Sequence, residues 1–215
     1  MDKSYWDKFY SKNPDIHQPS NFAKYILNFM EQNSIKVNLF DLGCGNARDT
    51  VYFALNNVSA HGIDQSHEAI ESDKNKYKVN QNLSFSSDDF TRFNFDKFNF
   101  KNKNLKYSLY SRFTLHAINY SEEEVLLENI STLKNLEWLF FEARTIRDKI
   151  YGQGEQVGKH EFVTSHYRRF IDPEVFIDKV ENLGFKVVDF SESEGYSKLD
   201  ENDPNLMRLI INKKN

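Results

Sequence analysis

The chain has 215 residues, with 28 Lys and Arg against 32 Asp and Glu, a net charge of -4 and 39% hydrophobic content. That is enough for one domain with a full core, and it offers no basic surface of the kind that binds nucleic acid or an acidic membrane. The single cysteine, Cys44, excludes an internal disulfide framework and has no zinc-ligand spacing around it, so no metal is expected. No signal-peptide core opens the sequence and no run of ~18 apolar residues crosses it, so the expectation is a cytoplasmic protein.

Taken in order, Tyr5, Trp6, Phe9 and Tyr10 share one face of a short helix, and Pro14 and Pro19 then break the chain. Ser20 caps a helix from Asn21 to about Gln32, with an apolar stripe of Phe22, Tyr25, Ile26 and Phe29. Val37 to Leu42 reads as a strand, Gly43-Cys44-Gly45 as a tight turn, and Arg48 to Leu55 as a helix. Glycine at 43 and 45 permits backbone conformations that a Cβ forbids and lets a ligand lie against the main chain. The helix that follows presents free N–H groups and a partial positive charge.

A second strand, Ala60 to Asp64, ends in a carboxylate 23 residues after Asp41, near the ~20-residue spacing at which a β-α-β unit brings an acid to a ribose. Ser66 caps the next helix. Asn82 to Ser86 is a third strand, followed by Asp88, Asp89 and Phe90. From Thr91 to Asn104, four phenylalanines alternate with Arg92, Lys97, Lys101 and Lys103. Such interleaving can stack the bases of a single strand, but the negative net charge favours phenylalanines buried in the domain. The fourth strand, Leu105 to Tyr110, delivers Ser111, Arg112, Phe113 and His116 to the C-terminal edge of the sheet, where open α/β sheets bind ligands.

Ser121 then caps a helix whose Glu122, Glu123 and Glu124 complement its N-terminal dipole. Leu136 to Phe141 is the fifth strand, followed by Glu142, Arg144 and a polar insertion, Thr145 to Ser165, read as a loop. His166, Tyr167, Arg168 and Arg169 precede a helix from Asp172 and Pro173 to Leu183, and Phe185 to Phe190 pairs with Leu206 to Asn212 as the last two strands.

The glycine turn distinguishes two ligand classes. A dinucleotide fingerprint wants a third glycine at position 48, which is Arg, and Asp41 ahead of the glycines is poorly placed to receive two phosphates. An acid there suits a ligand with an ammonium and a sulfonium. Asp41-Leu42-Gly43-Cys44-Gly45 resembles the first motif of the class I S-adenosylmethionine (SAM) dependent methyltransferases, acid-x-Gly-x-Gly, with Ala47 as the third small residue.

The resemblance implies one methyltransferase domain over 1–215, with an N-terminal helical lid at 1–34 and a substrate-site insertion at 145–170. Its fold would be α/β, a seven-stranded, mostly parallel Rossmann-like sheet with an antiparallel terminal strand and helices on both faces. SAM would be the cofactor and S-adenosylhomocysteine (SAH) its product. Cofactor contacts are then expected from Tyr5, Trp6, Asp41, Gly43, Cys44, Gly45, Asn46, Arg48, Asp64, Gln65 and Ser66. Asp88 or Asp89 would meet the adenine amino group with Phe90 stacked on the ring, and Ser111, Arg112 and Phe113 would complete the set.

No Asn-Pro-Pro-Tyr motif of base methylation follows the fourth strand. The Arg112-Phe113-x-x-His116 pattern is instead similar to small-molecule methyltransferases. Tyr5-Trp6, Pro19 to Lys24 and His166 to Phe170 are similar to methyltransferases of bacterial capsule and surface-polysaccharide biosynthesis, including enzymes that O-methylate a capsular phosphoramidate. The expected acceptor is therefore a small, anionic, nucleotide- or sugar-linked molecule, held by Arg144, Arg168 and Arg169 beside Tyr167. A sugar hydroxyl acceptor would need a base, which His116 or His166 could supply. A SAM-binding module without its own chemistry is the alternative from another class. Oligomeric state is not legible.

Overall fold

In the computed structural model, residues 18–198 and 202–213 are described. The expectations for Tyr5 and Trp6 therefore lie outside the described residues, as does the first half of the N-terminal lid. A seven-stranded sheet runs in the order β3-β2-β1-β4-β5-β10-β9, with β1 at Asn38–Leu42, β2 at Ala60–Asp64, β3 at Leu83–Ser87, β4 at Tyr107–Arg112, β5 at Leu136–Arg144, β9 at Phe185–Ser193 and β10 at Leu206–Lys213. β1, β2 and β3 pair in parallel, whereas β10 runs antiparallel to both β5 and β9. This is the seven-stranded, mostly parallel Rossmann-like sheet with an antiparallel terminal strand that the sequence leads one to expect. Among the described residues, no helix is long and apolar enough to cross a membrane.

Two compact units divide the described chain, one of residues 18–110 with 133–137, the other of 111–132, 138–198 and 202–213. In the first, α1 (Asn21–Gln32) is capped by Ser20, whose hydroxyl accepts the Ala23 N–H, and buries Phe22, Ala23, Ile26, Leu27 and Met30. α2 (Arg48–Leu55) and α3 (His67–Tyr77) follow the first two strands. β1 and β2 are buried along their whole length, as strands covered on both faces must be.

The alternation of phenylalanines and cations in 93–103 resolves as a core. Phe40 on β1 has Phe93, Phe95, Phe98, Phe100, Tyr107 and His61 packed edge-on around it, with ring centroids 4.8–5.8 Å away. Lys97, Lys101 and Lys103 face solvent. The aromatic rings are therefore not a base-stacking platform.

His61 sits inside this cluster with its ring nitrogens 2.8 and 2.9 Å from the Ser84 and Ser86 hydroxyls. Burial, aided by the charge of Lys74, lowers its pKa to about 3. The folded chain thus keeps it neutral where the unfolded chain protonates it. Stability is expected to be complete above pH 6.5 and to fall by about 1.4 kcal/mol per pH unit below it, until the folded imidazole itself titrates near pH 3. Urea melts across that window should give a steeper acid loss for the native chain than for His61→Leu.

In the second unit, α4 (Tyr120–Ser131) is capped by Asn119 rather than Ser121. The Asn119 side chain accepts the Glu122 N–H at 2.9 Å, and the Glu122 carboxylate accepts the Asn119 N–H at 2.8 Å. This reciprocal box leaves Ser121 inside the helix. α5 (Pro173–Asn182) starts as expected, with Asp172 capping and Pro173 in the first turn.

The segment expected to be a loop is instead largely a small antiparallel sheet. β6 (Glu155–Gly158), β7 (Glu161–Val163) and β8 (Tyr167–Arg169) pair in that order, with Phe162 opposite both Gln156 and Arg168. β5 also runs to Arg144 rather than stopping at Phe141. Its buried Glu142 receives Arg112 Nε at 3.0 Å and Arg208 Nε at 2.7 Å, so a charged residue continues the strand.

Candidate active site

The first unit builds its site where β1 ends. Gly43, Gly45 and Ala47 all have positive φ, at 69°, 57° and 58°. Gly43 and Cys44 donate their N–H groups to the Ile63 carbonyl at 2.7 and 3.1 Å, which draws the turn against the end of β2. Asp64 then fastens it. One carboxylate oxygen accepts the Gly45 N–H at 2.9 Å and the other accepts the Ser66 N–H at 2.8 Å. A carboxylate oxygen has two acceptor sites, so Asp64 retains capacity for a vicinal diol while it holds the turn. Asp41, 3% exposed, accepts the Thr50 hydroxyl at 2.6 Å. The side-chain amide nitrogen of Asn46 is enclosed without a hydrogen-bond partner.

Two carboxylates and one unpartnered amide donor around a positive-φ turn fit a ligand carrying cationic groups, a carboxylate and a ribose. SAM has all of these. Asp64 would hold the ribose, Asp41 would balance the positive charge, and the Asn46 amide would donate to the amino-acid carboxylate. Gln65, half-buried, follows Asp64 directly.

Other expected cofactor residues are placed differently. The Cys44 side chain packs in the core with Ala47, Ile70 and Phe85, and a Cβ on Gly62 would lie 2.8 Å from its sulfur. Burial, then the charges of Asp64, Asp41 and Asp73, pushes the thiol up, so Cys44 contributes its backbone to the turn and not a reactive sulfur. Phe90 is 1% exposed, which assigns its ring to the core rather than to stacking on a base. Asp88 stays at the surface, its N–H on the Asp64 carbonyl at 3.0 Å and its carboxylate accepting the Asp89 N–H at 2.7 Å. Asp89 accepts both the N–H and the hydroxyl of Thr91 through one oxygen.

Arg48 lies 3.8 Å from Asp49 through its Nε. Asp49 itself escaped the sequence reading. Buried, it accepts the Ser20 N–H and hydroxyl, both at 2.7 Å, and the Tyr110 hydroxyl at 2.8 Å, tying α1 and β4 to the start of α2.

In the second unit, two adjacent arginines have opposite fates. Successive side chains of a strand point to opposite faces. Arg168, opposite Phe162 on β7, lines a cavity of about 330 Å³ together with Phe162, Arg144, Ile150, Gln153, Thr164, Phe170 and Asn202. Its guanidinium donates to the Thr164 hydroxyl at 2.9 Å. Arg144, at the end of β5, donates to Asp148 at 2.7 Å and to Asn202 at 3.4 Å. Arg169 turns the other way. Its guanidinium donates to the Leu115 and Ile118 carbonyls, both at 3.1 Å, and to the buried carboxylate of Glu123, which also holds Lys179 at 2.7 Å. The expected anion clamp therefore lacks Arg169, and Glu123 is a buried ion-pair centre rather than only a dipole acid.

Arg169 also donates its backbone N–H to the His116 carbonyl at 2.9 Å, so it anchors the segment that carries this histidine. The His116 imidazole is 6% exposed, its Nδ1 has no partner, and its centroid lies 5.2 Å from that of Phe113. Burial first, then the charges of Arg144, Arg168, His166 and Arg112, pushes its pKa far below the ordinary value, so the ring is neutral at physiological pH. His166 is also buried, with Nδ1 3.1 Å from the Ser165 hydroxyl. Burial and Glu161 raise the Tyr167 phenol, which stays protonated.

Arg112 donates to Glu142 and, at 2.7 Å, to Ser197, with its guanidinium stacked 4.1 Å from the Phe113 ring. Ser111 is hydrogen-bonded to the Thr114 hydroxyl. Both side chains are thus engaged within their own unit.

Residues 34–139 match a family model described as a methyltransferase domain. In structure, the chain is similar to the CcbJ methyltransferase of Streptomyces caelestis, with a TM-score of 0.68 at 11% identity over 92% of this chain and 91% of that one. A SAM-dependent methyltransferase of Clostridium acetobutylicum gives 0.66 at 13% identity, over 99% and 97%. The magnesium protoporphyrin IX methyltransferase of Synechocystis PCC 6803, crystallised with SAM, gives 0.62 at 12% identity, over 89% and 78%. At such identities the likeness is one of fold. No curated protein matches in sequence.

Proposed function

We propose that this chain is a SAM-dependent methyltransferase, a reading supported by its methyltransferase-domain match and its fold, and that it transfers the methyl group of SAM to an oxygen of a small anionic acceptor and releases SAH. The observation that carries the acceptor class is the pair of guanidiniums, Arg144 and Arg168, lining one cavity. The finer assignment, a phosphoramidate-type capsule precursor methylated in the cytoplasm, rests on the sequence resemblance through His166 to Phe170 and stands as part of the same proposal.

Bound SAM supplies a methyl group already activated by the sulfonium charge. The work left to the protein is positioning and exclusion of water. In the first unit, Asp64, Asp41, Asn46 and the backbone of 43–45 would hold the donor, and Asp88 or Asp89 the adenine amino group. In the second, Arg144 and Arg168 would hold and orient the acceptor. An anionic oxygen needs no deprotonation before it attacks, so guanidinium forks suffice. Tyr167 alternates with Arg168 along β8 and so shares the Arg169 face, away from this cavity.

A second reading, a sugar hydroxyl methylated with base assistance, is favoured by one observation: the buried, unpartnered Nδ1 of His116, which could take the hydroxyl proton, although burial and the surrounding cations weaken it as a base. Rates separate the two. The purified chain is incubated with SAM and either phosphate-type or neutral hydroxyl acceptors, SAH is quantified by mass spectrometry, and the methylated atom is identified by NMR. We expect turnover on the anionic acceptors, with His116→Gln within about tenfold of the native rate. General-base loss costs roughly 100-fold or more, so a fall of that size in folded His116→Gln would select the hydroxyl reading. Methylation at nitrogen would sink both.

A further inference from the structure

The two arginines explain why the cavity would take a charge, but not the rest of its lining. Ile150, Phe162 and Phe170 form an apolar wall. Tyr151 packs edge-on behind it, 5.3 Å from Phe162 and 5.5 Å from Phe170, and the two phenylalanines lie 5.9 Å apart, so the wall is braced by a cluster of rings. Gln153, Thr164 and Asn202 add side chains that both donate and accept hydrogen bonds. Their complement is a group that also donates and accepts at each position, which is a hydroxyl. An apolar wall with an amide and hydroxyl rim matches a saturated ring with C–H groups on its face and hydroxyls around its edge.

Size limits the occupant. About 330 Å³ is near the small end of ligand pockets and equals the liquid volume of about eleven waters. One six-membered ring with an anionic substituent fits within it.

We infer that this cavity binds an anionic monosaccharide, with the phosphate or carboxylate on Arg144 and Arg168, the ring face on Phe162, and the hydroxyls on Gln153, Thr164 and Asn202. This deepens the proposed function by selecting a sugar body for the acceptor. Its place in the reaction rests on that reading, whereas the binding itself does not.

Calorimetry on the full chain, with and without SAH, tests it using glucose 6-phosphate, glucuronic acid, glucose, inorganic phosphate and cytidine monophosphate. Glucose 6-phosphate or glucuronic acid is expected to bind at least about tenfold tighter than glucose and inorganic phosphate. Whichever is tighter identifies the anion as phosphate or carboxylate. Gln153 is exposed, so Gln153→Ala should keep the native melting temperature while weakening the anionic sugar and leaving inorganic phosphate unchanged. Arg168→Ala should weaken both.

Equal binding of phosphate and sugar phosphate would reduce the cavity to an anion subsite and overturn the inference. So would tighter binding of cytidine monophosphate, or no binding of any anionic sugar by a chain that binds SAH. Sugar binding that responds to these variants without methyl transfer would leave the cavity assignment standing and remove the proposed reaction. Methyl transfer to another acceptor without sugar binding would do the reverse.

Discussion

Arg169→Ala is expected to lower the stability of the chain by about 3–5 kcal/mol, while Arg168→Ala, one residue away, should change it by about 1 kcal/mol or less. Arg169 is 5% exposed, and its guanidinium bridges two main-chain carbonyls, those of Leu115 and Ile118, to the carboxylate of Glu123. Truncation leaves both carbonyls without this donor and reduces Glu123, 2% exposed, to its pair with Lys179. Burying one charge with half its partners removed costs more than the intact pair contributes. Arg168 is half-buried, on the opposite face of β8 with the cavity. Its loss should appear in acceptor affinity instead. Guanidinium melts of both variants, with titrations of an anionic ligand, test the contrast. Replacing Arg169 and Glu123 together by Met and Leu should recover part of the loss, because no fully buried charge then remains unpaired and Lys179, which loses Glu123, is only half-buried. If the two single variants melt at the same denaturant concentration, the division of the two arginines between faces is wrong.

The reason this division was hidden in the sequence is local. His166-Tyr167-Arg168-Arg169 reads as a basic cluster at a helix entrance, and only a strand assignment sends its alternate members to opposite faces. The three strands that fix the register have four, three and three residues, and they carry charged and amide side chains where a sequence reading looks for apolar alternation. Glu123 was misread for a related cause. An acid in the first turn of a helix satisfies the dipole argument by itself, so nothing called for partners 46 and 56 residues away. Asp49 likewise sits in a first turn, and its partners, Ser20 and Tyr110, lie 29 and 61 residues distant.

By contrast, the glycine turn, Asp64 and strands β1 to β3 follow from patterns contained within single β-α-β units. There the spacing along the chain and the geometry in space are almost the same information. The phenylalanines of 93–100 were assigned to the core on net charge alone, and their packing on Phe40 supplies the physical ground for it.

That close link between spacing and geometry makes Asp64 the sharpest test of the donor site. Asp64→Asn is expected to weaken SAH binding by about 100-fold or more, with a smaller cost in stability of about 1–3 kcal/mol. Both native carboxylate oxygens accept a main-chain N–H, from Gly45 at 2.9 Å and from Ser66 at 2.8 Å. An amide has only one oxygen. In either orientation its NH₂ group faces one of those N–H donors, so one end of the glycine turn is released or pushed away. The ribose hydroxyls lose a charged acceptor at the same moment, and hydrogen bonds to charged groups are worth roughly 1.5–3 kcal/mol each. SAM should suffer more than SAH, since it carries one more positive charge and loses a nearby negative one. Calorimetry with both ligands on native protein and Asp64→Asn gives the two ratios directly. An Asn variant that keeps SAH affinity within about threefold would show that neither the turn nor the ribose depends on this carboxylate.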